Sequence, residues 1–182
     1  GQIFRFREAV GNYGDGAAKL GGAVDGVNGG DDFGCGYLVF SADKCAFCYC
    51  EKDKTVIECA AGDEEYFYNF FDFERDYAGI VSAALSSGVP VLKKAANLGK
   101  GVRILNQNPE EALFSFIVSQ NNNIPRIKGI IEKLCARAGE EKVFYGERFG
   151  ENGLKYRAFP SAETLAEMPE SFFKEAGLGY RA

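Results

Sequence analysis

Hydrophobic and polar residues alternate over much of the first sixty positions, and this period of two predicts short β-strands. The alternating segments are residues 3–8, 37–40, 45–51 and 55–59. Glycine-rich sequence occupies residues 12–36, and the charged turn Lys52-Asp53-Lys54 joins the last two segments. Because connections this short link neighbouring strands that run in opposite directions, the pattern predicts an antiparallel sheet.

From about residue 74 onward, apolar residues recur every three or four positions, which is typical of amphipathic helices. Helices are predicted over residues 74–85, 91–96 and 124–138. Another starts at Asn108-Pro109 and ends at three asparagines, and two more begin near residues 161 and 169. The helix after Asn108-Pro109 is expected to bury a broad face, on which Ala112, Leu113, Phe116 and Ile117 recur at helical spacing. A polar insert at residues 140–155 is expected to form a hairpin.

These segments predict an α+β chain with two domains. Residues 1–88 are expected to form an antiparallel twisted sheet, with the helix at residues 74–85 covering one face. Residues 89–182 are expected to form an α-helical region.

The positions of the charged residues along the chain are more informative than the net charge. The chain has 182 residues and a formal net charge of -5, whereas a protein that coats DNA without specificity needs clustered lysine and arginine. Basic residues nevertheless gather in the second half, at Lys93, Lys94, Lys100, Arg103, Arg126, Lys128, Lys133 and Arg137. Any nucleic-acid surface is therefore expected in that half.

Several kinds of chemistry are excluded or disfavoured by composition. The chain has no histidine, which excludes histidine-activated nucleophiles and histidine metal ligands within it. Cys45 and Cys48 form one C-x-x-C, and a zinc or iron–sulfur site with Cys50 and Cys59 is an alternative. The alternating pattern favours reduced thiols that act as small hydrophobic residues of a strand, so neither a metal nor a cofactor is expected.

The most distinctive motif is a run of three asparagines between two predicted helices. The apolar helix ends in Asn121-Asn122-Asn123, and the next helix starts at Ile124. Spacing alone favours a helix corner, because asparagine caps helices and tolerates left-handed backbone. Two further segments accompany it, Gly1-Gln2-Ile3-Phe4-Arg5-Phe6-Arg7 and Gly177-Leu178-Gly179-Tyr180-Arg181-Ala182. In order and spacing, the three segments together resemble the 8-oxoguanine DNA glycosylases of the helix-hairpin-helix superfamily.

The resemblance implies roles for five residues. The carbonyl of Gly1 would accept the hydrogen on N7 that distinguishes 8-oxoguanine from guanine. Asn121 would enter the space left by the extruded base, Arg126 and Arg181 would donate to the orphaned cytosine, and Tyr180 would wedge beside it. A capping asparagine, surface arginines and a partly buried tyrosine are the structural alternatives. Phe6 replaces a tryptophan of the family pattern.

The resemblance also implies what lies outside these residues. The family's catalytic lysine and aspartate belong to a segment with the pattern Leu-Pro-Gly-Val-Gly, and nothing in the chain matches it. We therefore expect a chain truncated before the hairpin, trimmed at its front and inactive alone. Its first domain is expected to resemble the TATA-binding protein.

The implied function is base-excision repair. The intact protein would excise 8-oxoguanine opposite cytosine from double-stranded DNA and cleave the strand as an AP lyase. It is expected to be a soluble, intracellular monomer without membrane contact, cytoplasmic in a bacterium and nuclear in a eukaryote. The alternatives are a noncatalytic module that binds damaged or mismatched DNA, and a metal protein built on the cysteines.

Overall fold

A computed structural model describes residues 4–9, 36–51, 54–146, 149 and 151–179. The chain divides into two compact units. One contains Ile3–Asp63 and Gln107–Ala182, and the other contains Glu64–Asn106. The predicted domain boundary after residue 88 does not coincide with a border between these units. The boundary stays a prediction.

The larger unit contains the predicted antiparallel sheet. Its strands are β1 (Phe6–Ala9), β2 (Gly36–Ser41), β3 (Lys44–Glu51) and β4 (Lys54–Cys59). Within the described residues they form a four-stranded sheet in the order β1-β2-β3-β4, and every neighbouring pair is antiparallel. The predicted mixture of helices with an antiparallel sheet is thus confirmed.

One face of this sheet packs against a hairpin. The hairpin strands are β5 (Glu141–Phe144) and β6 (Leu154–Arg157), which confirms the hairpin predicted at residues 140–155. Phe144 and Leu154 share a buried cluster with Phe47 of β3 and with Phe149. The ring centroids of Phe47 and Phe149 lie 5.6 Å apart in an edge-to-face arrangement, a geometry that aromatic pairs favour.

Seven helices occur within the described ranges, five of them between β4 and the hairpin and two after the hairpin. They are α1 (Glu64–Phe70), α2 (Tyr77–Ser86), α3 (Pro90–Leu98), α4 (Pro109–Ser119), α5 (Ile124–Ala138), α6 (Ala162–Ala166) and α7 (Glu170–Ala176). No helix in these ranges is long and apolar enough to cross a membrane.

Helix α5 is the centre of the second core of the larger unit. The five apolar positions of its predicted stripe are buried, namely Ile127, Ile130, Ile131, Leu134 and Cys135. They pack against Val118 of α4, Leu165 of α6, Phe172 of α7 and Leu178. The stripe is confirmed because its residues recur at helical spacing and one partner surface covers them all.

The predicted buried face of α4 is wrong. Leu113 and Phe116 are 57% and 62% exposed, while the buried residues of the helix are Glu111, Ser115 and Val118. These three lie on one side at helical spacing. That side faces inward because Glu111 pairs with the buried guanidinium of Arg5. The prediction considered only the spacing of apolar residues and therefore did not include this ion pair.

The smaller unit contains α1, α2 and α3. Helix α1 buries Phe67 and Phe70, although the aromatic segment there had not been predicted as a helix. Helix α2 begins at Tyr77, where the carboxylate of Asp76 accepts from the backbone N–H of Gly79 at 2.8 Å. None of the ten residues of α2 is buried, and its predicted role as a cover for the sheet stays a prediction.

Candidate nucleic-acid interface

The three asparagines at the corner between α4 and α5 have three different roles. The side-chain amide of Asn122 donates to the carbonyl of Val118 at 2.7 Å and so satisfies a carbonyl at the end of α4. The side-chain oxygen of Asn123 accepts from the backbone N–H of Arg126 at 3.0 Å, which makes it the N-cap of α5. The capping alternative therefore describes Asn122 and Asn123.

Asn121 differs from both of its neighbours. Its φ of 51° is in the left-handed region, which asparagine adopts more readily than most residues. Its side chain is exposed and makes no hydrogen bond to any other residue in the described ranges. The amide of Asn121 is therefore exposed and caps neither helix.

Arg126 lies in the first turn of α5 and is exposed. Its Nη2 donates to the carbonyl of Gly177 at 3.3 Å. Gly177 ends α7 with a φ of 108°, and Leu178 then enters the core beside α5. The contact brings the asparagine corner and the Gly177-Leu178-Gly179 segment to one place.

Three of the five predicted site residues lie outside the described residues. They are Gly1, Tyr180 and Arg181, and their roles stay predictions. The chain nevertheless reaches Gly179 two residues after the carbonyl that Arg126 contacts. The segment that leads into Tyr180 and Arg181 thus starts next to Arg126.

Arg5, just before the first strand, is the centre of a buried hydrogen-bond network that the alternating pattern does not predict. The guanidinium of Arg5 is buried, and its Nη1 donates to the carbonyl of Ala42 at 3.1 Å. Its Nη2 donates to the carbonyl of Arg157 at 2.5 Å, and Glu111 accepts from it on a third side, with Nη1 and Oε2 3.4 Å apart. Arg5 therefore ties β1 to the β2–β3 turn, to β6 and to α4.

A period of two does not by itself say which face of a strand is buried, although apolar side chains are the usual choice. Phe6 is instead 37% exposed. The only sequence signal for a special role of Arg5 was its place in the family pattern that includes Gly1, Phe4 and Phe6.

Glu111 completes this buried network. Its Oε2 accepts from the backbone N–H of Ala42 at 2.6 Å. Burial raises the pKa of the Glu111 carboxyl, while the charge of Arg5 and the N–H of Ala42 act in the opposite direction. The network is a structural support for the amino-terminal segment, since it closes on itself without an exposed reactive group.

The cysteines of β3 do not converge on a metal. Cys45 is buried with Phe47 in the cluster beside the hairpin, whereas Cys48 lies on the other face of the strand because side chains alternate. Burial raises the pKa of the Cys48 thiol to about 12, so it is protonated at neutral pH. In the part of the chain that is described, no group of three or more histidine, cysteine or acidic residues could hold a metal ion.

Comparison with known proteins identifies the same family along two routes. The family model described as the 8-oxoguanine DNA glycosylase, N-terminal domain, matches residues 1–113. An N-glycosylase/DNA lyase of Saccharomyces cerevisiae is 40% identical over 96 residues, which cover 52% of this chain and 24% of that protein. The N-glycosylase/DNA lyase OGG1 of Arabidopsis thaliana is 36% identical over 84 residues, which cover 46% of this chain and 21% of that protein.

The second route is structural. The apo form of the Clostridium acetobutylicum 8-oxoguanine glycosylase/lyase matches 100% of this chain and 53% of its own chain, with a TM-score of 0.73 and 30% identity. The same enzyme in complex with double-stranded DNA containing cytosine opposite 8-oxoG gives a TM-score of 0.71 at 31% identity, over 100% of this chain and 52% of its own. The chain thus spans about half of that enzyme and a smaller share of the curated relatives. Over more than half of its length it belongs to the 8-oxoguanine DNA glycosylase family, N-terminal domain.

Proposed function

We propose that this chain acts in base-excision repair, as part of an 8-oxoguanine DNA glycosylase and AP lyase. The intact protein would excise 8-oxoguanine opposite cytosine from duplex DNA and then cleave the strand. Family membership over residues 1–113 supports this, as does similarity along the whole chain to an enzyme solved with DNA that contains cytosine opposite 8-oxoG. These 182 residues would carry mainly the recognition of the lesion and of the orphaned cytosine.

The hydrogen bond from Arg126 to Gly177 is the observation that carries the proposal. It brings the planar guanidinium of Arg126 next to the segment that precedes Tyr180. Arg126 is the third residue of α5, the helix that follows the exposed Asn121. A guanidinium presents parallel N–H donors that fit the acceptor edge of a base. Arg126 and Arg181 would hold the cytosine, Tyr180 would wedge beside it, and Asn121 would occupy the space of the extruded lesion.

Lesion recognition would use the backbone of Gly1. Guanine presents a lone pair at N7, which repels a carbonyl oxygen, whereas 8-oxoguanine presents a hydrogen that the carbonyl accepts. One correctly placed acceptor therefore discriminates the two bases, since a buried polar group without a partner is costly.

The chemical step is not assigned to any lysine of this chain. In the family mechanism an amine attacks the sugar and forms a Schiff base, and the pattern that surrounds that lysine does not occur in the 182 residues. We further propose a sheet domain of the TATA-binding-protein type up to about residue 88, with α2 as its covering helix, and a glycosylase helical domain beyond it. The protein would act as a monomer, in the nucleus of a eukaryote or the cytoplasm of a bacterium.

Binding to matched duplexes tests the proposed recognition edge. The duplexes carry 8-oxoguanine opposite cytosine, 8-oxoguanine opposite adenine, or guanine opposite cytosine. Asn121→Gly keeps the left-handed backbone while removing the amide, and Arg126→Ala removes the guanidinium. We expect both variants to bind the 8-oxoguanine–cytosine duplex about 5- to 150-fold more weakly, the range for loss of a specific base contact of about 1–3 kcal/mol. Fluorescence anisotropy measures the affinities.

Lys133→Ala is the matched control, because Lys133 is an exposed cation on the same helix as Arg126. It is expected to change binding to all three duplexes by the same small factor. Equal losses on every duplex for Asn121→Gly and Arg126→Ala would contradict the assignment, since they would indicate contacts that do not read the opposite base.

A further inference from the structure

A second basic site lies on the larger unit, in a cleft of about 200 Å³ between the segment that leads into β1, helix α5 and strand β6. We call it the β1–α5 cleft. Its charged lining residues in the described ranges are Arg5, Arg7, Lys128, Glu132, Lys155 and Arg157. Arg5 and Arg157 are already paired, with Glu111 and Glu141. Arg7, Lys128 and Lys155 remain beside the single lining carboxylate of Glu132, so positive charge exceeds negative charge here in a chain whose formal net charge is -5.

The ion pairs around the cleft leave much of that charge available. Nη2 of Arg7 and Oε1 of Glu132 are 3.9 Å apart, and both side chains are about half exposed. Nζ of Lys155 and Oε1 of Glu141 are also 3.9 Å apart and exposed. Exposed pairs at such separations are worth about 1 kcal/mol or less. An anion of higher charge density can therefore compete for Arg7 and Lys155.

Aromatic side chains hold the cations in position. Nζ of Lys128 lies 3.6 Å from the ring centroid of Phe6, a cation–π contact that restricts the ammonium group. Tyr156 lines the cleft and is itself fixed, because its hydroxyl donates to the carbonyl of Asp43 at 2.7 Å. The cleft thus combines oriented N–H donors with aromatic surface, the combination that binds nucleotides.

The cleft is separate from the edge formed by Asn121 and Arg126. Lys128 follows Arg126 by two residues on α5, which corresponds to a rotation of about 200° around the helix axis. Arg126 contacts the loop after α7, whereas Lys128 contacts β1. A group bound in the cleft therefore does not occupy the proposed site of the orphaned cytosine.

We propose that the β1–α5 cleft binds the phosphate group of a nucleotide. A phosphate accepts several hydrogen bonds at once from arginine and lysine, and the aromatic side chains provide a surface for the attached sugar or base. The phosphate comes from the DNA backbone or from a free nucleotide. The inference is independent of lesion recognition, because no residue of the cleft was assigned to that task.

Backbone amide chemical shifts of the full chain test the site. The protein is titrated separately with deoxyguanosine monophosphate, with inorganic phosphate and with an undamaged DNA duplex. We expect saturable shifts at Phe6, Arg7 and Lys128. Lys128→Gln should weaken the binding about 3- to 10-fold. The slope of the logarithm of the binding constant against the logarithm of the salt concentration should become shallower by about one.

Two further variants separate a specific site from general charge effects and from misfolding. Lys133→Gln removes an exposed charge on the same helix outside the cleft and should leave the binding of deoxyguanosine monophosphate unchanged. Glu132→Gln removes the acidic lining residue and should strengthen the binding, a gain that unfolding cannot produce.

The three ligands distinguish the sources of the phosphate. A response to the mononucleotide supports a free-nucleotide site, and a response to the duplex without the mononucleotide supports a backbone contact. A response to inorganic phosphate alone overturns the proposal. Shifts spread evenly over exposed basic residues, or equal affinity of Lys128→Gln and the parent chain, also overturn it. Loss of lesion discrimination would leave these results unaffected, so the two proposals fail separately.

Discussion

At the scale of single residues, Arg5 explains why the first strand departs from its own hydrophobic pattern. A buried charge requires both an opposite charge and hydrogen-bond acceptors. Arg5 has the carboxylate of Glu111 and the carbonyls of Ala42 and Arg157. These partners hold the guanidinium inside, and the alternation of the strand then places Phe6 at the surface, where it meets Lys128.

Removing Glu111 should therefore be unusually destabilising. Glu111→Ala leaves the Arg5 guanidinium buried without its counter-charge and the N–H of Ala42 without its acceptor. Loss of one partner from a buried ion pair lowers the free energy of unfolding by about 3–5 kcal/mol. Urea denaturation followed by circular dichroism at neutral pH measures the change.

Glu110→Ala is the control for this prediction. Glu110 is the neighbouring exposed carboxylate in the same first turn of α4, so both substitutions remove the same favourable interaction with the helix dipole. We expect a loss of about 0.5–1 kcal/mol for the control. Similar losses in the two variants would show that the ion pair with Arg5 contributes little.

At the scale of elements, the sequence predicted those features that depend on neighbouring residues. Asn108, Asn123 and Ser161 were expected at helix starts, and each side chain accepts from a backbone N–H in its own first turn. Capping is local, so a few residues suffice to predict it. The stripe of α5 was predictable for the same reason, because its spacing lies within one helix.

Features that depend on distant partners were not predictable in this way. The inward face of α4 depends on Arg5, which is 106 residues away. The contact of Arg126 with Gly177 spans 51 residues, and only the family resemblance had associated their segments. Helix α1 was missed because a run of six aromatic residues among eight positions, from Tyr66 to Phe73, has no clear helical period.

The end of α7 offers a test at this scale. Gly177 has a φ of 108°, a conformation that strains any residue with a Cβ. Gly177→Ala should lower the free energy of unfolding by about 1–2 kcal/mol. Because the carbonyl of Gly177 accepts from Arg126, the same change should also weaken binding to the lesion duplex.

Gly129→Ala is a control with the opposite expected sign. Gly129 lies within α5, and apart from the adjacent residues and the backbone of the helix itself no atom lies within 4 Å of the position that its added Cβ would occupy. Alanine there should raise the free energy of unfolding by about 0.5–1 kcal/mol, because it reduces the backbone entropy lost on folding. Urea denaturation of both variants gives the comparison, and a stabilising Gly177→Ala would contradict the strain at that position.

At the scale of the whole molecule, the two compact units depend on carboxyl groups whose pKa values shift in opposite directions. In the larger unit, burial raises the pKa of Glu111, so the cost of holding a buried carboxylate appears as the pH rises through the folded-state pKa, and the pair with Arg5 then offsets part of that cost. In the smaller unit, hydrogen bonds from Arg75 and Tyr77 lower the pKa of Asp72. That contribution is present above the unfolded-state pKa and is lost as the pH falls through the folded-state value.

Asp72 should therefore determine how the smaller unit responds to acid. Its Oδ2 accepts from Nε of Arg75 at 2.5 Å and from the hydroxyl of Tyr77 at 2.7 Å, and its backbone carbonyl accepts from Nη1 of Arg103. Asp72→Asn should reduce the hydrogen-exchange protection of amides in α1 and α2 at pH 7. The difference from the parent chain should shrink as the pH falls below about 4, where the aspartate of the unfolded chain binds its proton.

Glu74→Gln removes an exposed carboxylate of the same unit and should leave both the protection and its pH dependence unchanged. A difference between Asp72→Asn and the parent chain that stays constant down to pH 2 would show that the two hydrogen bonds act without help from the charge of Asp72.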